Sequence, residues 1–292
     1  MKDLQKIYGI EFPKDVELLW ELACKIEPTN PTAAFKETLD ISLVGPFDIL
    51  AGSFDKLKPK LSMYLHYRYF LDPPEFFTVL HGGIDGLHWG FWFDDPNKLP
   101  PRMCSYYRND AYSLRNCAPG LIASVIEHLN EQRKGILENI KYDSKHKAEY
   151  QEDLAELEIL RPKLENLIQR LPMSEVVKRN VPSRWGMGFF VPQNNYAPME
   201  IPESDVLKLL ESGKNISKLV NRVERDCKNG NYGLGLQVGH LLWAYSNKST
   251  QAAGTKLLAL AYKQLKRTIL SEVLNIHSAN RGLKSVDLTG IS

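Results

Sequence analysis

The spacing of apolar residues changes along the chain and divides it into stretches of different structure. Val16, Leu19, Trp20 and Ala23 recur at helical spacing, which predicts a helix over Asp15 to Glu27 that Pro28 stops. A second short helix is expected after Asn30, with Pro31 at its first position and Ala34, Phe35 and Leu39 as its apolar residues. Ile41 to Val44 is a short apolar run closed by Gly45-Pro46, the pattern of a strand followed by a turn. From Tyr64 to Tyr107 aromatic runs alternate with turn residues, and four strands are predicted there. Tyr64 to Phe70 is ended by Asp72-Pro73-Pro74, and Glu75 to Leu80 by His81-Gly82-Gly83. Leu87 to Phe93 is closed by Asp94-Asp95-Pro96, and Met103 to Tyr107 follows. Intervals this short favour an antiparallel sheet of hairpins.

Helical periodicity returns at Leu121. Ile122, Val125, Ile126 and Leu129 form one stripe of a helix reaching about Ile140. Lys145 to Leu171 repeats the pattern with Leu154, Leu157, Leu160 and Leu164, and the Lys and Glu residues around that ridge read as a solvated face. A strand is expected over Trp185 to Val191 and a helix over Glu203 to Leu210. Two more helices are expected, from about Tyr232 to Tyr245 and from about Thr255 to His277. The fold class that follows is α+β. An N-terminal antiparallel-sheet domain with flanking helices, residues 1–115, packs on a mainly helical C-terminal domain, residues 116–292.

Composition fits this picture. Of 292 residues, 43% are hydrophobic and 25% charged, so the chain can bury a core and is not a disordered tail. Thirty-seven basic residues stand against 35 acidic ones, a formal charge of +2, which does not announce a phosphate-tracking nucleic-acid binder. Met1 to Gly9 lacks the apolar core of a secretory signal, and no run is long enough to cross a bilayer. Cys24, Cys104, Cys117 and Cys227 are scattered and read as free thiols of a reducing compartment. The expected location is intracellular: nuclear in a eukaryote, cytoplasmic in a bacterium.

No motif points to catalysis by this chain alone. Gly233-Leu234-Gly235-Leu236-Gln237-Val238-Gly239 has neither the spacing of a dinucleotide fingerprint nor the ending of a P-loop. Its glycines read as points where a helix approaches its neighbours. Asp94-Asp95 and the pair Asp72 and Glu75 sit beside prolines, where aspartate serves turns. None of the seven histidines pairs with another at metal-ligand spacing; His66 and His88 read as aromatic neighbours within strands. No serine, cysteine or threonine occupies a nucleophile elbow. No cofactor and no metal are expected.

Five segments in order carry a resemblance. They are Leu43 to Gly52, Leu65 to Phe76, Tyr232 to Leu236, Leu258 to Tyr262 with Lys266-Arg267, and His277 to Arg281. Together, across about Val16 to Arg281, they resemble the histone PARylation factor family. The resemblance implies an accessory protein that docks on a poly(ADP-ribose) polymerase of the DNA-damage response and directs modification to serine, on histones among other acceptors. It also implies a donated carboxylate that acts as general base on the acceptor hydroxyl. That carboxylate lies shortly before the Tyr-Gly of the glycine-rich helix. Matched without gaps, the positions are Lys228 and Asn229, neither a base at neutral pH. With a longer loop over Asp226 to Asn231, Asp226 becomes the equivalent and Glu224 the next choice. Partner docking falls at Met199 and Glu200, where the family carries a Tyr-Arg pair, with Tyr232 and Lys248 completing the partner-facing set. The expected protein is a monomer. The first half also resembles the SUKH superfamily, which keeps open a protein-binding module with no part in ADP-ribosylation. An independent enzyme is the third reading.

Overall fold

The computed structural model describes residues 2–55, 60–98, 100–108, 114–172, 177–183, 186–200, 202–212, 215–245 and 247–290; the side chains of Lys2 and Lys248 lie outside the description. Helix α1 (Lys2–Tyr8), not foreshadowed by the spacing, leads into α2 (Lys14–Ile26), which buries Val16, Leu18, Leu19, Leu22 and Ala23. A single 3-10 turn, Pro31–Ala33, and α3 (Lys36–Leu39) replace the one helix expected after Asn30.

Strands β1 (Ile41–Leu43), β2 (Phe76–Gly82), β3 (His88–Trp92), β4 (Arg102–Tyr106) and β5 (Arg115–Asn116) form one five-stranded sheet in sequence order. Every pairing is antiparallel, with registers such as Leu43 opposite Leu80 and Gly90 opposite Cys104. After β1 the chain does not simply turn at Gly45-Pro46. It enters α4 (Pro46–Leu50), with Pro46 at the first helical position. Gly45 has φ +65°, and a Cβ there would lie 2.4 Å from the Thr78 carbonyl oxygen, so only glycine fits.

The strand expected over Tyr64 to Phe70 does not form. A 3-10 turn spans Met63–Leu65 and Tyr67 takes φ 52°. The segment wraps the buried Arg68, whose Nε donates to the Tyr64 carbonyl at 2.8 Å and whose Nη1 donates to that of Pro73 at 2.9 Å. The five donors of a buried guanidinium must be satisfied locally, and that requirement overrides the strand composition.

Helices α5 (Leu121–Tyr142) and α6 (Lys147–Ile168) form an antiparallel pair, crosslinked on the outside by Arg133 to Glu158 at 2.6 Å and by Arg161 to Asn130. The strand expected over Trp185 to Val191 does not form among the described residues. Trp185 lies outside them, and the rest contributes only an isolated bridge between Phe189 and Val181. Then come α7 (Glu203–Glu211), α8 (Ser217–Lys228), α9 (Tyr232–Ala244), α10 (Lys248–Gln264) and α11 (Thr268–Asn280). The single helix expected over Thr255 to His277 is broken in two. Lys266 takes a left-handed φ of 57°, and the Arg267 amide closes back on the Tyr262 carbonyl at 2.9 Å. One apolar cluster draws from α1 and α2, the sheet, α5, α6, α9, α10 and α11, while a second joins α7, α8, α9 and α10. Among the described residues no helix is long and apolar enough to cross a membrane.

Candidate functional site

The segment carrying the candidate carboxylates is a helix rather than the loop its Asn-Gly ending suggested. In α8, Val220, Val223 and Cys227 fall on one face and are buried, the spacing of an amphipathic helix. The remaining faces carry Arg222, Glu224, Arg225, Asp226 and Lys228. Helix α8 therefore runs through Asp226 and ends at Asn229-Gly230, with Gly230 at φ +106°. Asn231 then starts α9: its side chain accepts from the Leu234 amide at 3.3 Å, and its own amide donates to the Asp226 carbonyl at 3.0 Å.

Helix α9 is apolar on all sides, and every residue from Gly233 to Ala244 is buried. Its glycines are contact points. A Cβ at Gly233 would lie 2.6 Å from the Tyr196 ring, at Gly235 2.8 Å from Cys227 Sγ, and at Gly239 2.9 Å from the Leu258 side chain. The thin faces of α9 thus bring α8 on one side and α10 on another within van der Waals reach. The end of α8 is held against α9 by the buried Cys227 facing Gly235.

Two of the candidate residues, Glu200 and Asp226, are joined at this corner by an arginine that sequence patterning does not single out. Arg222 Nη2 lies 2.5 Å from Glu200 Oε2, and Arg222 Nε lies 3.8 Å from Asp226 Oδ2. Arg225 Nε stands 3.9 Å from Asp226 Oδ1, and the Asp226 side chain is 31% exposed. Met199 packs partly buried against the α7–α8 cluster, next to Glu200. The Asp226 carboxylate thus stands beside two loosely placed cations and is open to solvent on one side. Glu224 is bound more tightly. Lys228 Nζ at 2.8 Å and Lys256 Nζ at 2.5 Å both donate to it. Those two hydrogen bonds hold its carboxyl below the ordinary value, which makes it a weaker base than a free carboxylate. Tyr232, half-buried, opens α9 on the far side of the turn. Of Lys248 only the backbone lies within the description. It is the first residue of α10, and Asn247 beside it shares a groove with Ser217 and Asn221, near the start of α8. Along α8, Ser217 is roughly 14 Å and Asn221 roughly 8 Å from Asp226 at 1.5 Å per residue. Arg222 was legible in principle, since it stands one helical turn before Asp226, but only once Val220, Val223 and Cys227 are recognised as a stripe.

The acidic pairs beside the prolines do more than serve turns. Asp72 does accept from the Tyr69 amide at 2.8 Å, but it also receives the Tyr106 hydroxyl and lies 3.2 Å from His88 Nε2. Glu75 Oε1 accepts from Tyr262 at 2.5 Å and lies 3.2 Å from His240 Nε2. Burial alone would raise the Glu75 carboxyl; His240 and the hydrogen bonds from His240 and Tyr262 outweigh it and hold the group below its usual range. Trp243 Nε1 donates to the Asp72 carbonyl at 3.2 Å. These carboxylates are sealed from solvent and seat α9 and α10 on the end of the sheet, so they position the site rather than offer chemistry to a substrate. His88 stacks on Tyr69 with centroids 4.1 Å apart, in keeping with an aromatic role, and His66 meets Asp48 at 2.9 Å. All four cysteines are free. Among the described residues no group of three His, Cys, Asp or Glu side chains is arranged to hold a metal ion.

Comparison with known proteins covers nearly the whole chain. A family model described as "Histone PARylation factor 1" matches residues 1–281. The protein named "Histone PARylation factor 1" from Danio rerio is 28% identical over 307 residues, spanning 98% of this chain and 87% of the relative. The Mus musculus protein of the same name is 27% identical over 320 residues, spanning 98% and 88%. A Homo sapiens protein named "Putative histone PARylation factor 1-like" is 27% identical over 314 residues, again with 98% and 88% covered.

Proposed function

The chain belongs to the histone PARylation factor family, and on that premise we propose that it is an accessory factor rather than a free-standing enzyme. It docks on a poly(ADP-ribose) polymerase-type ADP-ribosyltransferase and completes that enzyme's active site for serine modification of histones and other proteins. The relatives are named as a factor of histone PARylation, and the match covers 98% of this chain.

The chemistry needs one group from this chain. A serine hydroxyl is a poor nucleophile until a base accepts its proton. We assign that role to Asp226. Its carboxylate takes the proton as the serine oxygen bonds to the ribose carbon of NAD and the bond to nicotinamide breaks; the transferase binds NAD. The observation that carries this assignment is the Asp226 side chain, a third exposed on the last turn of α8 just ahead of Tyr232-Gly233. Glu224, the alternative, is engaged by two lysines. Arg222 borders Asp226 and pairs with Glu200; together with Met199 they form the proposed docking rim. The Arg222 guanidinium can exchange Glu200 for a carboxylate of the partner without leaving Asp226.

The test is to incubate this chain with the poly(ADP-ribose) polymerase of its own organism, NAD and histones, and to map the modified side chains by mass spectrometry. Modification that moves to serine only when this chain is present is the expected result. A stable complex that leaves acceptor choice unchanged would leave a binding module and refute the proposal.

A further inference from the structure

Where β3 ends, the fold brings three guanidinium groups to one carboxylate. Asp94 is buried, with its side chain 0% exposed, and Arg267 Nη1 lies 2.8 Å from its Oδ1. Arg179 Nε stands 3.7 Å from Oδ2, which also accepts from the Phe190 amide at 2.5 Å. Arg102, the first residue of β4 and the ladder partner of Trp92, forms no direct ion pair among the described residues but lies within the electrostatic reach of Asp94 and Arg179. Burial lowers the affinity of Arg179 for its proton, and the neighbouring charge of Arg102 lowers it further. Three cations facing one anion leave two positive charges without a counter-charge in the cluster.

Hydrogen bonding is also incomplete. Nε and Nη2 of Arg102, Nε of Arg179 and Nε of Arg267 are buried, and none has an acceptor among the described residues. Buried guanidinium donors are costly to leave unmatched, and their geometry suits oxyanions. The cluster backs onto a groove of about 190 Å³ lined by Arg267, Lys266 and Lys98 together with Phe190, Asn195 and Tyr232; Arg267 Nη2 donates to the Phe190 carbonyl at 2.5 Å. Lys266 is exposed there by the left-handed turn between α10 and α11, and Phe190 is 41% exposed. Asp95, the one carboxylate among the described residues lining the groove, is engaged by Lys98 at 3.5 Å. Asn195 Nδ2 donates to the Gly230 carbonyl at 3.0 Å, so the groove ends at the turn that carries Asp226.

We propose that this groove binds the pyrophosphate of an ADP-ribosyl group. Lys266 and Arg267 meet the phosphate oxygens, while Arg102 and Arg179 behind Arg267 supply the positive field that holds them. Tyr232 and Phe190 offer aromatic surface to the attached nucleoside. That the anion is an ADP-ribosyl group rests on the proposed function; that it is a pyrophosphate oxyanion rests on the cluster alone.

Isothermal titration of the full chain with sodium pyrophosphate, ADP-ribose and AMP at constant ionic strength, without transferase, tests both. Pyrophosphate and ADP-ribose are expected to bind saturably and AMP more weakly. Lys266→Asn keeps a residue that tolerates the left-handed φ and removes the cation; it weakens both ligands by about tenfold or more. Arg102→Gln does the same without lowering the melting temperature, because two of its buried guanidinium nitrogens have no hydrogen-bond acceptor among the described residues to lose. Absence of saturable heat with either ligand, or undiminished binding in both variants, would overturn the proposal. Pyrophosphate binding without ADP-ribose binding would overturn the choice of ligand. Since no transferase is present, failure here leaves the proposed function standing, and failure of serine targeting leaves the groove standing.

Discussion

Replacing Gly254 by alanine tests how the site is held. Gly254 lies on α10 where it crosses α9, and a Cβ there would fall 2.8 Å from the Trp243 amide nitrogen, 2.9 Å from the Gly239 carbonyl oxygen and 3.2 Å from the Leu242 carbonyl carbon. All three are backbone atoms of a helix buried on every side, so none can rotate away. Two opposing magnitudes decide the outcome. Alanine is favoured over glycine inside a helix by about 1 kcal/mol, while forcing an extra methyl into a packed interior costs about 1–3 kcal/mol. With no flexible neighbour to absorb the strain, the cost falls at the upper end, and the net loss is roughly 1–2 kcal/mol. For a chain of this size that is a melting temperature lower by about 2–6 °C. Gly135, inside α5, is the control, because a Cβ there would meet nothing within 4 Å. Gly135→Ala gains about 0.5–1 kcal/mol and melts slightly higher than the wild type. Thermal unfolding followed by far-UV circular dichroism separates the two variants. If Gly254→Ala is as stable as the wild type, or rises with Gly135→Ala, the close approach of α9 and α10 does not set the position of the site.

Other consequences follow from named contacts. Tyr262→Phe removes the hydroxyl that donates to the sealed Glu75 carboxylate, costing about 1–3 kcal/mol; an unchanged urea midpoint would contradict the buried network. His277 is buried, and that burial, with the Arg68 and Arg281 cations, holds its imidazole far below the usual 6.5. The folded state keeps His277 neutral while the unfolded chain takes up a proton, so stability is full above about pH 6.5 and falls as pH drops below it. His277→Gln should flatten that acid limb in urea titrations between neutral and mildly acid pH, and an unaltered slope would exclude His277 as its source. Glu224→Gln leaves partner-dependent serine modification intact, because Glu224 is engaged by Lys228 and Lys256; loss of modification would move the base from Asp226 to Glu224.

The parts of the fold that sequence reveals are those governed by local pattern. Strands β2, β3 and β4 lie within a residue or two of their expected bounds, since apolar and aromatic runs between turn residues specify them, and the apolar stripe of α5 and the leucine ridge of α6 are equally plain. Long-range contacts decide the rest. Asp72, Glu75 and Asp94 read as turn formers because prolines flank them; the partners that make Glu75 a buried anchor, His240 and Tyr262, stand 165 and 187 residues away. Tyr64 to Phe70 has strand composition, yet the buried guanidinium of Arg68 dictates its path. Helix α8 escapes notice in the sequence because its charged residues outnumber its apolar ones, and the Asn-Gly pair that closes it reads as loop. The glycines of α9 were legible as packing points, and the structure supplies the neighbours they face. At the candidate site, Asp226 and Glu224 came from a family resemblance, whereas Arg222, which joins Glu200 to Asp226, follows from helix geometry alone.

The most direct measurement is Asp226→Asn in the reconstituted reaction of this chain, its polymerase, NAD and histones. Serine sites are quantified by mass spectrometry, complex formation by titration, and folding by melting temperature. The account predicts a folded variant that still binds the polymerase and no longer directs modification to serine. Serine modification at the wild-type rate by a folded, bound Asp226→Asn protein would contradict it.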